Sequence, residues 1–327
     1  MSELRWNPTI EEWVVTATHR QERTFFPPPD YNPLAPTKPG GFPTEIPAPT
    51  YEIVVFENKF PSLRADPPQP FVPGDVLEPV RPAAGVCEVV CYTPQPDREL
   101  AELPMRKIEQ LIWVWADRFE ELGQRDYVDY VLIFENKGRE IGVTLSHPHG
   151  QIYAYPFVPP IPAKEIDSAR RYHVKNGRNL YDDIILSEQE DGRRVVARNE
   201  HFLAVIPFYA RYPYEVHILA LDAKTAISDF TAPERTSLSR ILKTVMAKYN
   251  NLWNRSFPYI MAMHQRPTID STEGYDFYRF HIEFYPPYRT PDKLKYLAGS
   301  EAGAGVFIND THAEENGRIL REIEIAE

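Results

Sequence analysis

The sequence predicts an α+β fold: two tandem, similar units joined in one large antiparallel sheet, with the helices packed on one face of it. Eight runs rich in valine, isoleucine and aromatics, bounded by glycine, proline or asparagine, read as strands. Two long segments carry apolar residues at helical spacing, one in each half. Each half also repeats one order: strand, strand, long helix, strand, then a strand bearing histidine. The units are expected over residues 1–165 and 166–327.

The strand-like runs of the first half are "YEIVVFEN" (51–58), "VCEVVCYT" (86–93), "YVLIFEN" (130–136) and "QIYAYPF" (151–157). Those of the second are "FLAVIPF" (202–208), "EVHILAL" (215–221), "YIMAMHQ" (259–265) and "YRFHIEFYPP" (278–287). Between them a helix is expected over 104–122, with Ile108, Leu111, Ile112, Trp115 and Phe119 on one stripe and Pro104 suited to the first turn. A second is expected over 232–252, where Thr231 and Glu234 form a capping box and Pro233 fits the first turn. The halves also rhyme: "FENKFPSL" answers "NEHFLAVIP", and "HPHGQIYAYPFVPP" answers "FHIEFYPP". The polar stretch 163–192 links them and is expected to be partly helical.

Composition narrows the function. The 327 residues carry a formal charge of −11, against the basic field that a general nucleic-acid or membrane-surface binder needs. Hydrophobic residues make up 43%, too many for a disordered chain, so the 33 prolines mark long extended connections instead. Cys87 and Cys91 lie on one side of a strand and read as small core residues in a reducing compartment. "MSELRWNPT" has neither the basic nor the apolar region of a signal peptide, and no apolar run approaches membrane-spanning length. A cytoplasmic protein is expected.

The chemistry concentrates in "LSHPHGQIYAYPF" (145–157). In an extended segment alternate residues share a face, so His147, His149 and Gln151 point the same way. Pro148 fixes its own φ and restricts His147, which stiffens the backbone where side chains must be aimed. Gly150 permits a close approach. Three polar side chains on one face of an apolar strand are costly unless satisfied. The pattern fits a catalytic site, a metal site or a surface strand. Two histidines alone do not close a zinc shell, whereas a nucleophile needs one imidazole nitrogen presented and the other held by an acceptor.

"FENKG" (134–138) with "IGVTLSHPHGQIYA" (141–154) resembles the active-site segment of the galactose-1-phosphate uridylyltransferase family, a branch of the histidine triad superfamily. "RWNPTIEEWVVTATHRQER" (5–23), "VFENKFPSL" (55–63), "FHIEFYPPYR" (280–289) and "KYLAGSEAGAGVFIND" (295–310) resemble further segments of that family, in the same order. The resemblance implies histidine-triad-like units and a ping-pong transfer. His149 attacks the α-phosphorus of UDP-glucose, glucose 1-phosphate leaves, and galactose 1-phosphate takes the uridylyl group to give UDP-galactose. Gln151 donates to a phosphate oxygen, where hydrolase branches usually carry a third histidine. His147 positions its neighbour. Arg20 and Arg23 face phosphates or acceptor; Asn58, Phe60 and Asn136 contact the uridine or phosphate side; Gly142, Thr144 and Ser146 lead into the nucleophile. Lys295 and Glu301 face the hexose and its phosphate, from a partner subunit of a homodimer.

The sequence departs from the family twice. Where many members carry a Cys-x-x-Cys and a distant histidine for zinc, Asn32, Ala35 and Pro96 stand instead, so only His147 survives and that site is expected to be absent. A second family metal site, one glutamate and three histidines, matches at Glu165, His264 and His281 but ends in Glu283. Those four fit either one Zn²⁺ or Fe²⁺ ion or a metal-free network of hydrogen bonds. No organic cofactor is expected. Two rival readings keep the same fold: a nucleotidyl phosphorylase acting on ADP-glucose or a dinucleoside polyphosphate, and an idle nucleotide-sugar binding protein.

Overall fold

A computed structural model describes residues 2–22, 27–28, 31–269 and 274–325. The strands are β1 (Ser2–Asn7), β2 (Glu12–Ala17), β3 (Val54–Glu57), β4 (Val80–Pro82), β5 (Val86–Cys91), β6 (Tyr130–Lys137), β7 (His149–Tyr155), β8 (Val195–Arg198), β9 (Phe202–Val205), β10 (Val216–Ala220), β11 (Tyr259–His264) and β12 (His281–Tyr285). The helices are α1 (Met105–Gly123), α2 (Pro160–Asn176), α3 (Leu180–Asp191), α4 (Ala232–Leu252) and α5 (Ala313–Glu322).

Nine strands form one antiparallel sheet in the order β3-β5-β7-β6-β11-β12-β10-β9-β8. Apart from β8 the order is palindromic about the β6–β11 joint. Phe134 pairs with Ala262 at that joint. Gln151 pairs with Phe134 as Glu283 pairs with Ala262. The register therefore makes β12 the twin of β7, with His281 opposite in role to His149 and Glu283 to Gln151. The rhyme between "HPHGQIYAY" and "FHIEFY" is a true equivalence. The rhyme between "FENKF" and "NEHF" is not: the first lies at the end of β3 and beyond it, the second leads into β9.

One face of the sheet is sealed by α1 and α4. Val131, Ile133, Ile152 and Ala154 meet Ile282 and Phe284 and the helix residues Ile108, Leu111, Trp115, Leu238, Leu242 and Val245 in a single core. Each fully buried aliphatic side chain here contributes about 1.5–3 kcal/mol from removal of apolar area. The capping box at α4 forms as expected, with Thr231 N–H and hydroxyl both donating to Glu234, at 2.6 and 2.7 Å.

The expectation of helices on one face only needs correction. The link 163–192 folds into α2 and α3, and both cover the opposite face of the second unit. The cause is a second apolar face there: Leu203, Val205 and Leu219 alternate with the core residues of β9 and β10 and pack against Ile166, Ala169, Tyr181 and Ile185. The first unit's opposite face receives no such helical cover. It is flanked by two small clusters, one around Leu4, Leu63 and Cys87, the other around Leu34, Ile46, Val89 and Cys91. Cys87 and Cys91 share that face, and burial pushes the Cys91 thiol up to about 12, as befits a core residue. Among the described residues no helix is long and apolar enough to cross a membrane.

Candidate active site

β7 begins at His149, and its alternation is as the sequence requires. His149, Gln151 and Tyr153 are half-buried on the uncovered face, while Gly150, Ile152 and Ala154 are buried against the helices. Gly150 is needed for what lies behind it. A Cβ there would meet the Tyr92 hydroxyl at 2.2 Å and the Phe134 carbonyl at 3.2 Å. The close approach is thus by a core phenol, on the side away from the uncovered face.

His147 precedes the strand and is 1% exposed. Its carbonyl lies 2.7 Å from His149 Nδ1. A carbonyl only accepts, so Nδ1 carries a proton and the neutral ring's lone pair sits on Nε2. The His147 ring is itself held between the Asn32 amide, the Tyr51 hydroxyl and the Thr93 carbonyl, at 3.0, 2.8 and 2.8 Å. Burial lowers its pKa, which keeps it neutral. Gln151 Oε1 accepts from the Tyr153 hydroxyl at 3.4 Å, which turns the Gln151 amide NH₂ away from Tyr153.

His149 lines two cavities that meet at its ring. One, of about 240 Å³, is walled by Leu34, Phe56, Phe60 and Val89, with Asn58, Thr144 and Gln151 among its polar members and the Glu45–Lys59 ion pair at its edge. The other, of about 430 Å³, is polar and includes Arg98, Asn136, Lys137, Arg139, Thr144 and Ser146. An apolar-walled slot and a polar basin of mixed charge, where Lys137 pairs with Glu99 at 2.7 Å, meet at one imidazole and suit a substrate with a flat base at one end and polar groups at the other.

Of the residues expected from sequence, Asn58, Phe60, Asn136, Thr144, Ser146, His147, His149 and Gln151 come together in this region. Asn58 also shapes the loop it sits in, its Oδ1 accepting the Phe60 N–H at 2.9 Å. Gly142 has φ +85° at the end of a short 3₁₀ turn and serves the chain's path, not the cavity wall. Arg20 donates its guanidinium to the Phe60 carbonyl at 2.8 Å, bracing the loop of the apolar slot, and is absent from the lining of both cavities. Arg23 lies outside the described residues. Lys295 and Glu301 bind each other at 3.2 Å, with Lys295 also donating to the Ile308 carbonyl, and neither lines the cavities at His149. Sequence reasoning missed Tyr51, Thr93, Tyr153, Lys137 and Arg139. Only Tyr153 was within reach of a pattern, two residues beyond Gln151 on the same face.

The twin position on β12 holds a different chemistry. His281 repeats the bond made by His149: its Nδ1 donates to the carbonyl two residues back, Arg279, at 2.9 Å. Its Nε2 lies 3.7 Å from Glu165 and 3.6 Å from Glu283. His264 completes the group, with Nδ1 at 2.8 Å from Glu165. Ligand atoms of Glu165, His264, His281 and Glu283 all lie within 4.8 Å of one another, so the group can hold a metal ion. Glu283 also meets His217 at 3.3 Å and Arg211 at 3.2 Å, and His217 reaches Glu215 at 2.9 Å. Burial alone would raise the Glu283 carboxyl and lower His264. The facing opposite charges overturn both, holding Glu283 well below the carboxylate range and lifting His264 to about 9. His217 is buried and bridges two carboxylates, Glu215 and Glu283.

Two family models cover the chain. The galactose-1-phosphate uridyl transferase N-terminal domain matches residues 1–159 and the C-terminal domain residues 165–319. A Thermotoga maritima protein named galactose-1-phosphate uridylyltransferase is 41% identical over 327 residues, covering 99% of each chain. A Rattus norvegicus protein of the same name is 32% identical over 335 residues, covering 98% of this chain and 88% of its own. A solved uridylyltransferase structure superposes with a TM-score of 0.86 at 32% identity, covering 98% of this chain and 97% of the other. An ADP-glucose phosphorylase from Arabidopsis thaliana superposes at 0.73 over the whole of both chains but at 22% identity, a likeness of fold. The chain belongs to the galactose-1-phosphate uridyl transferase family.

Proposed function

We propose that this chain moves UMP from UDP-glucose to galactose 1-phosphate in two displacements at phosphorus, through a covalent uridylyl group on His149. The observation that carries the reading is the ring itself. His149 Nδ1–H is held by the His147 carbonyl, and the ring stands where an apolar slot meets a polar basin.

In the first displacement the Nε2 lone pair forms a bond to the α-phosphorus. The bond from that phosphorus to the β-phosphate oxygen breaks, and its electron pair leaves with glucose 1-phosphate. The ring becomes an N-phosphorylated imidazolium, whose charge the His147 carbonyl stabilises through Nδ1–H. In the second, a phosphate oxygen of galactose 1-phosphate attacks, the N–P bond breaks and the neutral imidazole returns. Leaving group and acceptor are both phosphate oxygens, already anionic, so no base has to take a proton. Gln151 presents its amide NH₂ to a non-bridging oxygen, a neutral donor that does not repel the incoming phosphate.

The slot around Phe56 and Phe60 takes the uracil, and Asn136, Thr144 and Ser146 take the sugar-phosphate side. Lys295 and Glu301 serve the hexose of a partner subunit's site in a homodimer. The two units divide as residues 1–165 and 166–327, and the protein works in the cytoplasm. Glu165, His264, His281 and Glu283 hold one Zn²⁺ or Fe²⁺ ion: two imidazoles and two carboxylates are a donor set both metals accept. An ion there is structural, tying α2 to β11 and β12.

The test uses UDP-glucose labelled in the α-phosphate, without acceptor. Acid-labile, base-stable label is expected on the protein, and none on His149→Gly. No label from any nucleoside diphosphate sugar overturns the mechanism. Label from ADP-glucose but not UDP-glucose overturns the uridine assignment in favour of a phosphorylase.

A further inference from the structure

Asn32 lies in the loop between β2 and β3, 115 residues before His147, yet the two side chains touch. The Asn32 amide has a fixed orientation. Its Oδ1 accepts the Leu34 backbone N–H at 3.0 Å, which leaves Nδ2 facing His147 Nδ1 at 3.0 Å. An amide nitrogen donates and does not accept, so Nδ1 must be the acceptor. The proton of the neutral His147 ring is then on Nε2.

The other side of the ring agrees independently. Nε2 lies 2.8 Å from the Thr93 carbonyl, which can only accept. The Tyr51 hydroxyl donates to that same carbonyl at 2.6 Å and stands 2.8 Å from Nε2, with its own lone pairs available to the ring's N–H. The opposite tautomer would set two donors against each other at Asn32 and two acceptors at Thr93. His147 is 1% exposed, so water cannot relieve either clash.

The carbonyl of this same residue accepts the nucleophile's Nδ1–H at 2.7 Å. Residue 147 is therefore committed at both ends, by its side chain to the 32–51 loop and by its carbonyl to His149. We propose that Asn32 is a positioning residue for uridylyl transfer: it locks the His147 ring in the Nε2–H tautomer and so fixes the carbonyl that aims His149. Tyr51 assists from the far side of the ring. The proposal rests on the reading of His149 as the nucleophile. Without those bonds residue 147 loses its anchor and its carbonyl is free to shift, and a misplacement of about 1 Å at a reacting atom costs up to about 10²-fold in rate.

The experiment pairs a spectroscopic readout with kinetics on the full chain. ¹⁵N spectra of histidine-labelled protein report which ring nitrogen of His147 carries the proton. Nε2–H is expected in the parent. In Asn32→Asp, a carboxylate that cannot donate faces the ring, and Nδ1 is expected to gain a proton. Asn32→Ala and Asn32→Asp are each expected to slow adduct formation at His149 by about tenfold or more, with KM for UDP-glucose changed by less than about threefold. The near-isosteric Asp variant guards against loss of folding in the Ala variant. An Nδ1–H tautomer in the parent overturns the proposal, as does adduct formation at the parent rate in both variants. If the parent forms no adduct while His147 is Nε2–H, the reading of His149 has failed and the catalytic half of the proposal fails with it.

Discussion

β7 and β12 are the same piece of architecture used twice. Each starts with a histidine whose Nδ1–H is held by the carbonyl two residues back, at 2.7 Å for His149 and 2.9 Å for His281. Each places a longer polar residue two positions on, Gln151 or Glu283, on the same face of the sheet. What surrounds them differs. Gln151 is a neutral amide lining the smaller, apolar-walled cavity at His149. Glu283 is an anion, joined by Glu165 and Glu215 and roofed by α2 and α3. The carboxylates of the second position offer ligand atoms to a cation, whereas the amide of the first offers a neutral donor. One atom of side-chain chemistry, amide nitrogen against carboxylate oxygen, separates the two positions.

Exchanging that atom is the strongest way to break the comparison. Gln151→Glu is expected to lower kcat for uridylyl transfer by about 10²–10³-fold, since it removes one oxyanion donor and adds a like charge. Unchanged turnover would show that Gln151 does not touch the phosphate. The reciprocal Glu283→Gln is expected to weaken Zn²⁺ binding, read by metal content after dialysis, by more than the about 10–100-fold that loss of an outer-shell partner costs. Equal metal content in both proteins would remove Glu283 from the ligand set.

A smaller effect tests the face behind the site. By the register that makes Phe134 the twin of Ala262, Glu135 on β6 is the twin of Met263 on β11, so one unit buries a carboxyl where the other buries a thioether. Burial pushes the Glu135 carboxyl up to about 7. An acid whose folded pKa is raised stabilises the fold below its unfolded value of about 4.3, and that stability is lost as pH rises through the folded value. Between about pH 4 and 7.5 the parent should therefore lose on the order of 3 kcal/mol relative to Glu135→Met, read from denaturant midpoints across that range. Parallel stability curves for the two proteins would place the charge of Glu135 in a better-solvated setting than its 3% exposure implies.

Much of the site was legible because it obeys short-range rules. Alternation put His147, His149 and Gln151 on one face, and helical spacing and the Thr231 capping box fixed α1 and α4 almost to the residue. The arginine was not legible in the same way. Arg20 reads as a phosphate ligand in sequence, but its nearest acceptor is the Phe60 carbonyl, a backbone group that every residue type offers. The link 163–192 showed its helices but not their side, because that depends on the apolar face of β9 and β10, which sequence leaves without a partner.

The chain by itself determined the strand and helix pattern and the stiff Pro148 and small Gly150 around His149. Those are properties of residue type and near spacing. Only the tertiary structure decided that Asn32 meets His147, that His281 repeats the hydrogen bond of His149, and that two cavities meet at one imidazole. Each joins groups from separate strands and loops, and hydrogen bonds between them depend on angles and distances set by the packing of the whole sheet.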